Sequence, residues 1–403
     1  MKTIAIAGTF DTKAKEFLYL KDLIEEQGLK TLMINTGIFE TSIVPDIDGK
    51  DIAQAVGVDF DEVVSRKDRA YATQVMSEGM EKLVPQLYEE GKFHGIISLG
   101  GSGGTAMVAP AMRALPIGVP KLIVSTMASG DVSRYIESSD LILMPSIVDV
   151  AGINSISTRI FANAAHAIAG MVNYDRPIHV QKKPLICATM FGLTTPCVEV
   201  AKEFLEDKGY EVLVFHATGT GGKTMESLIE QGFFAGVLDI TTTEWADELI
   251  GGILNAGPHR LEAAAKAGVP QVVSLGALDM ANFGSYDSVP DHLKERTLYR
   301  HNPMITLLRT NVDENIALGN KIGEKLNMAT GPTALMIPLK GLSGIDIEGG
   351  PFHGPKEDAA LFRAVREAIT NEKVEIYEID AHINDKEFAL KAAQTLVAFM
   401  EKE

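Results

Sequence analysis

Thr3-Ile-Ala-Ile-Ala7, then Gly8-Thr-Phe-Asp-Thr12, then Phe17, Leu20, Leu23 and Ile24 open the chain. The first stretch is an unbroken apolar run, the second is turn chemistry, and the third recurs at helical spacing, so the segment reads strand, turn, helix. Gly28 supplies the helix stop, and Leu29 to Asn35 a second strand. Strands that are apolar throughout are buried on both faces; alternating with helices, they specify a parallel sheet covered on either side. The fold class is α/β and doubly wound.

The same unit recurs later in the chain. Leu185-Ile-Cys-Ala188 reads as a strand, Val198 to Lys208 as a helix, Gly209 as its stop and Glu211 to His216 as the next strand. With Gly209 laid on Gly28, Ala7 meets Ala188, Lys21 meets Lys202, Glu25 meets Glu206 and Asn35 meets His216. This suggests two halves related by internal duplication, against the competing reading that any two strand–helix–strand units match by chance. Further strands are expected at Gly95 to Leu99, Lys121 to Ser125 and Leu141 to Met144, with a helix from Thr105 to Ala114. The second half adds Gly236 to Ile240, Gln271 to Ser274, Met304 to Arg309, Thr333 to Ile337 and Val374 to Ile379. Asn173 to Pro184, with Arg176, Pro177, Lys182 and Lys183, is polar and broken by proline, which sets the domain boundary there. The expected domains are 1–178, nucleotide-binding, and 179–403, a substrate domain. Residues 38–75 have no counterpart in the second half and are expected to form a loop or small helical insertion near the first site.

At 403 residues the chain can build two cores, and 46% hydrophobic with 23% charged residues is a globular mix. A net charge of -17 without a Lys/Arg cluster argues against nucleic acid as a partner. Cys187 and Cys197 are too few for a disulfide framework or a four-cysteine zinc site, and read as reduced cysteines of a cytoplasmic protein. The apolar stretch Ile4 to Ala7 is too short for a signal core, and no run approaches the ~18 residues that span a bilayer. Neither export nor a membrane partner is expected.

In open α/β sheets ligands collect beyond the carboxyl ends of the strands. In the first half those positions are Gly8-Thr-Phe-Asp-Thr-Lys13, Asn35, Gly100-Gly-Ser-Gly-Gly-Thr105, and Ser125 with Thr126. Glycine lets backbone approach an anion, and amides at a helix start point toward it, so Gly100 to Thr105 is the strongest anion-binding signal in the chain. Ser102 and Thr105 would hydrogen-bond phosphate oxygens. Lys13 would serve as counter-charge, and Asp11 would orient a metal or hydroxyl, or merely cap a helix. Gly100-Gly-Ser-Gly-Gly104 also satisfies the serine-hydrolase elbow, but no acid and His follow at obvious strand ends in the same half.

In the second half, Ala217-Thr-Gly-Thr-Gly-Gly-Lys-Thr224 meets a relaxed phosphate-loop pattern, with a glycine-rich turn of another kind and a structural turn as the alternatives. His216, Asp239, Glu244, Asp346 and His353 are the candidate catalytic residues, as an acid/base pair or a metal site. No two histidines have ligand spacing on a helix face, so no metal is assigned.

Gly8-Thr-Phe-Asp-Thr-Lys13, Leu99-Gly-Gly-Ser-Gly-Gly-Thr105, His216-Ala-Thr-Gly-Thr-Gly-Gly222, and Gly344-Ile-Asp346 with Gly349-Gly-Pro-Phe352 occur in that order along the chain. Together they resemble the tomato mosaic virus resistance protein-like ATP-binding domain family of two-domain bacterial and fungal proteins. The resemblance implies two Rossmann-like subdomains, dimer formation, and ATP in the amino-terminal one. Thr9, Asp11, Thr12 and Lys13 match the family's first turn, and Gly101 to Thr105 its glycine loop.

The resulting expectation is an ATP-binding protein, as an ATP-dependent or phosphate-ligand metabolic enzyme, with ATP and optionally Mg2+ as cofactor and its site in an interdomain cleft. A homodimer or higher homo-oligomer is expected. The rival readings are a nucleotide-independent isomerase or hydrolase of a small acid or sugar, and a non-catalytic ATP-responsive binding protein.

Overall fold

The computed structural model describes residues 1–174 and 183–401. The expected boundary at 178/179, with Arg176, Pro177 and Lys182, lies outside the described residues. The chain divides into two compact units, Met1–His179 and Val180–Glu403.

The first unit runs β1 (Thr3–Gly8), α1 (Phe10–Glu25), β2 (Lys30–Asn35), α2 (Gly49–Ala55), α3 (Phe60–Ser65), α4 (Arg69–Glu89) and β3 (Gly95–Gly100). It continues with α5 (Ser102–Arg113), β4 (Lys121–Ser125), α6 (Ser133–Ile136), β5 (Ile142–Pro145) and α7 (Ser157–Asn173). Its strands pair in parallel in the order β2-β1-β3-β4-β5. The apolar run of β1 is divided between the faces by the two-residue period of a strand. Ile4 and Ile6 pack with Phe17, Leu20 and Ile168, while Ala5 and Ala7 pack with Met76, Met80 and Val108. Burying each of the large side chains stabilises the fold by roughly 1.5–3 kcal/mol. The insertion expected at 38–75 is helical: it holds α2, α3 and the start of α4.

The second unit runs β6 (Leu185–Met190), α8 (Thr195–Asp207), β7 (Glu211–His216), α9 (Thr220–Glu230), β8 (Gly236–Thr241), α10 (Glu244–Ile250), α11 (Ala263–Ala267) and β9 (Gln271–Gly276). After these come β10 (Met280–Phe283), β11 (Leu298–Asn302), β12 (Ile305–Arg309), α12 (Val312–Leu326), β13 (Thr333–Pro338), α13 (Pro355–Ala368), β14 (Val374–Ile379) and α14 (Lys386–Met400). Six strands form a sheet in the order β14-β13-β9-β8-β6-β7, all parallel. Both units are Rossmann-like α/β sheets, and read from the second strand inward they share one order over five strands. Gly28 and Gly209 both take left-handed φ, +78° and +93°, and Lys21–Glu25 and Lys202–Glu206 are ion pairs at the same place on their helices.

The strand expected at Met304 to Arg309 does form, as β12, but outside the parallel sheet. It pairs antiparallel with β10 and β11 in a separate three-stranded sheet. Only Pro303 and Met304 separate β11 from β12, too few for the crossover that parallel pairing needs, and Asn302 Oδ1 accepts the Met304 N–H at 2.8 Å to close the hairpin. Cys187 and Cys197 are buried and free, and burial pushes the Cys197 thiol up to about 12. Among the described residues no helix is long and apolar enough to cross a membrane.

Candidate functional site

The helix after β3 starts earlier than the sequence suggested. It begins at Ser102, so Ser102, Gly103 and Gly104 form its first turn, where amides have no intrahelical acceptor. No side chain caps this end. The amides face a cavity of about 850 Å³ within the first unit, walled by Gly101, Ser102, Gly103 and Gly104 on one side and by Thr9, Asp11, Thr12 and Lys13 on another. A β-carbon at Gly101 would meet nothing closer than 3.6 Å, at Gly103 likewise 3.6 Å, and at Gly104 3.8 Å. Protein packing therefore does not require these three glycines. Their bare backbone leaves room in the cavity instead.

Other members of the expected binding set are used internally. Gly8 is glycine because a β-carbon there would sit 2.0 Å from the Phe17 ring, and Phe10 is fully buried against that same ring. Asn35 Oδ1 accepts the N–H groups of Phe10 (3.0 Å) and Gly37 (2.9 Å), which ties the turns after β1 and β2 together. Gly100 packs its backbone on Gly104. The expectation that Thr105 bonds phosphate fails on geometry: it is buried, and its hydroxyl is shared between the Gly101 carbonyl (2.8 Å) and the Ser125 hydroxyl (2.6 Å). Ser125 and Thr126 instead line a neighbouring cavity.

The first cavity also contains groups that the sequence reading did not single out. Lys67 and Arg69 come from the junction of α3 and α4, and Ile38, Phe39, Met76 and Met107 supply an apolar wall. Arg69 is exposed and makes no ion pair among the described residues, and its guanidinium would be 3.6 Å from a β-carbon at Gly103. Lys13 donates to the Val150 carbonyl. Of the three carboxylates in the wall, Asp68 is committed to capping α4, accepting from Ala70 N at 2.9 Å and Tyr71 N at 3.2 Å. Asp11 accepts from Phe39 N through Oδ2 at 3.2 Å, while its Oδ1 is buried without a partner. Asp11 is thus not the cap of its own helix.

In the second unit, the turn Ala217 to Thr224 resembles a phosphate loop in sequence, but two of its glycine amides are already taken by a carboxylate of the protein. Glu244 Oε1 accepts from Gly219 N at 2.7 Å and Gly222 N at 3.1 Å. Each glycine is required by packing, since a β-carbon would lie 2.6 Å from Asn255 O at Gly219, 1.8 Å from His216 O at Gly221 and 2.1 Å from Glu244 at Gly222. Lys223 is exposed. This arrangement favours the structural turn among the three readings of the loop.

Glu244 and Asp239 are held by Arg260, which is 1% exposed. Its Nε lies 2.7 Å from Glu244, and its two terminal nitrogens lie 2.5 and 2.7 Å from Asp239. Glu226 completes the cluster at 3.1 Å. Burial pushes the Glu244 carboxyl up and Arg260 pulls it back. Burial likewise works against the Arg260 charge, but Asp239 and Glu244 outweigh it and hold Arg260 above its ordinary range.

Asp346 belongs to a different cluster, with Asp279, Asp358 and Arg309, in which Arg309 lies 2.7 Å from Asp358 and 3.7 Å from Asp346. Burial, then the Asp346 charge, pushes Asp279 and Asp358 up. His216, the last residue of β7, and His353, in the loop before α13, are both exposed. The five candidate catalytic residues are therefore spread over two buried clusters and two surface positions. Among the described residues no group of three or more His, Cys, Asp or Glu side chains is arranged to hold a metal ion.

The N-terminal domain of an uncharacterised protein family (UPF0261) matches residues 2–177, and the C-terminal domain of the same family matches residues 183–400. A UPF0261 protein of Clostridium tetani is 52% identical over all of both chains. Another from Rhizobium meliloti is 44% identical over 96% of this chain and 97% of its own. The tomato ToMV resistance protein Tm-1(GCR237) is 39% identical over 95% of this chain and 54% of its own length. Similarity to solved structures is remote. A putative UDP-N-acetylglucosamine 2-epimerase from Listeria monocytogenes aligns over 92% of this chain and 93% of its own, at 12% identity and a TM-score of 0.25.

Proposed function

The chain belongs to the UPF0261 family, and we propose that it binds a nucleotide, ATP, in the cavity of its first unit. One observation carries this reading: an uncapped helix start, built on glycines that packing does not need, faces a cavity that also holds Arg69, which has no ion pair among the described residues. The amides of Ser102, Gly103 and Gly104 would receive the terminal phosphates, with the helix dipole adding to their pull. Arg69 and Lys67 would balance the phosphate charge, and Arg69 would do so with a fork of donors. The apolar wall of Ile38, Phe39, Met76 and Met107 gives a face for the base. Where Mg2+ accompanies the phosphates, the unpartnered Oδ1 of Asp11 is the carboxylate oxygen suited to it, since Mg2+ in nucleotide sites is held by one or two carboxylates and by phosphate. A volume of about 850 Å³ is within the range of small-molecule pockets.

Isothermal titration of the full chain with ATP, and separately with glucose 6-phosphate and inorganic phosphate, tests the reading. ATP is expected to bind, and Arg69→Ala to weaken it about tenfold or more, the worth of a hydrogen bond to a charged group. Binding of glucose 6-phosphate without ATP, or an unchanged affinity in Arg69→Ala, overturns it.

A further inference from the structure

Beside the glycine turn lies a second cavity, of about 510 Å³, at the carboxyl ends of β4 and β5. It is lined by Ser125, Thr126, Ser129, Ser146 and Asp149, with no cationic side chain in its wall; the Ser125 and Ser146 hydroxyls are buried and bonded within the protein, which leaves those of Thr126 and Ser129 for a ligand. Asp149 lines both this cavity and the one that the glycine turn faces. Thr126 is also where the two meet, its hydroxyl lying 3.6 Å from a β-carbon placed at Gly101.

The loop that presents Asp149 is held under strain. Ile147, a β-branched residue that is 70% exposed, takes a left-handed φ of +65°. Such a conformation costs on the order of 1–3 kcal/mol and persists only where its surroundings impose it. Those surroundings are visible: Ser146 Oγ donates to Val148 O at 2.6 Å, Lys13 donates to Val150 O, and Gly152 N donates to Glu16. The last two bonds fasten the loop to α1, and Lys13 is itself part of the first cavity wall. The Asp149 carboxylate, by contrast, makes no side-chain hydrogen bond among the described residues, nor do the hydroxyls of Thr126 and Ser129. The loop is thus fixed while its carboxylate is left free at the boundary of two cavities.

We propose that the second cavity receives a neutral, hydroxylated small molecule and that the first unit transfers a phosphoryl group to it. This rests on the nucleotide reading of the first cavity. The hydroxyls of Thr126 and Ser129 can both donate and accept, which suits a polyol, and a wall with a carboxylate and no cation disfavours an acid. In the step, an acceptor hydroxyl oxygen attacks the terminal phosphorus of the nucleoside triphosphate and forms a new P–O bond. The bond from that phosphorus to the bridging oxygen breaks, and its electron pair leaves with the nucleoside diphosphate. Asp149 takes the acceptor proton, and the Ser102–Gly104 amides and Arg69 meet the charge that spreads over the phosphoryl oxygens.

The test uses the full chain in two stages. Equilibrium dialysis with ATP comes first; absence of binding removes the nucleotide reading and this proposal together. If ATP binds, phosphorus NMR follows reactions with Mg-ATP and glycerol, xylitol, myo-inositol or D-glucose as acceptors, with acetate as the acidic control. A phosphomonoester formed with ADP from at least one of the four is expected, and none from any of them overturns the transfer while leaving nucleotide binding intact. Product from acetate alone overturns the neutral acceptor. Asp149→Asn is expected to lower the transfer rate by about 10²- to 10⁴-fold while leaving the affinity for ATP unchanged. A variant rate equal to that of the unaltered chain removes Asp149 from the step.

Discussion

At the start of α5 the amides of the first unit face a cavity; at the start of α9 those of the second face Glu244. Ser102 and Glu244 hold like places, each the first residue of the helix that follows the third strand of its sheet. In the first unit that place carries a small hydroxyl beside glycines. In the second it carries a carboxylate that fills the neighbouring glycine-rich turn, and Arg260 balances it from behind. A glycine-rich turn is thus a promise of an anion without saying whose. The difference lies in what a β-carbon would strike: at least 3.6 Å of clearance at Gly101, Gly103 and Gly104, but Glu244 itself at 2.1 Å from Gly222.

The largest break in this comparison comes from Arg260. Replacing it by Met leaves Glu226, Asp239 and Glu244 buried together without their cation, and removal of one partner from a buried charge cluster costs about 3–5 kcal/mol. Urea denaturation monitored in the second unit, through Trp245, is expected to show that loss. A variant as stable as the parent would mean that the cluster does not hold the turn.

A second effect follows from carboxylates that the second unit buries. Asp247 is fully buried, accepts from the backbone and side-chain nitrogens of Asn282 at 2.9 and 2.7 Å, and is pushed up to about 7 by burial against those hydrogen bonds. Unfolded, it titrates near 4. Between about pH 4 and 7 the folded chain therefore holds a proton that the unfolded chain has released. Stability falls as pH rises through that window, by up to about 1.4 kcal/mol per pH unit for this group. Asp247→Asn is expected to flatten that slope, because Asn282 Oδ1, now without a partner, accepts from the new amide once the Asn282 side chain flips. Thermal melts across pH 4–8 measure it, and an unchanged slope assigns the dependence to other groups.

The two turns themselves are separated by a matched pair of alanines. Gly222→Ala drives a methyl into Glu244 and is expected to cost about 1–3 kcal/mol of stability. Gly103→Ala meets ordinary contact distances in a helix turn, and is expected to leave stability the same or raise it by up to about 1 kcal/mol while weakening ATP binding. Equal destabilisation by both would erase the distinction between a filled seat and an open one.

Much of this architecture could be read from residue patterns. The runs at Thr3 to Ala7 and Leu185 to Ala188 are apolar without interruption because both faces of each sheet are covered, and that fixed strand type and parallel pairing in advance. Gly28 and Gly209 marked helix ends because left-handed φ favours glycine. Met304 to Arg309 looked like another strand of the same sheet, since an apolar run does not record its partner; only the short gap behind it, with Asn302 and Pro303, signalled a hairpin. The glycines of Ala217 to Thr224 were visible, but Glu244 and Arg260, which decide their meaning, come from 22 and 38 residues after Gly222. Lys67 and Arg69 were missed because they lie in the insertion that has no repeat to compare with. The helix cap at Asp68 was their available signal, since it turns the chain at that point and brings α4 to the cavity.

The smallest expected effect sharpens the reading of the open seat. Ser102 stands in a sequence that also fits a hydrolase elbow, and the two roles predict different losses on Ser102→Ala. As one neutral donor among several amides, its hydroxyl contributes about 0.5–1.5 kcal/mol, a rise in the dissociation constant for ATP of roughly two- to tenfold. As a nucleophile it would be indispensable, and any esterase activity would vanish with it. The cavity wall favours the first outcome, because its lining residues include no histidine to take a proton from Ser102. Titration of Ser102→Ala with ATP, beside an assay with p-nitrophenyl acetate, distinguishes them. A few-fold weaker affinity with no esterase activity in either protein fits an anion seat, whereas esterase activity lost in the variant, with ATP affinity unchanged, would make the turn an elbow.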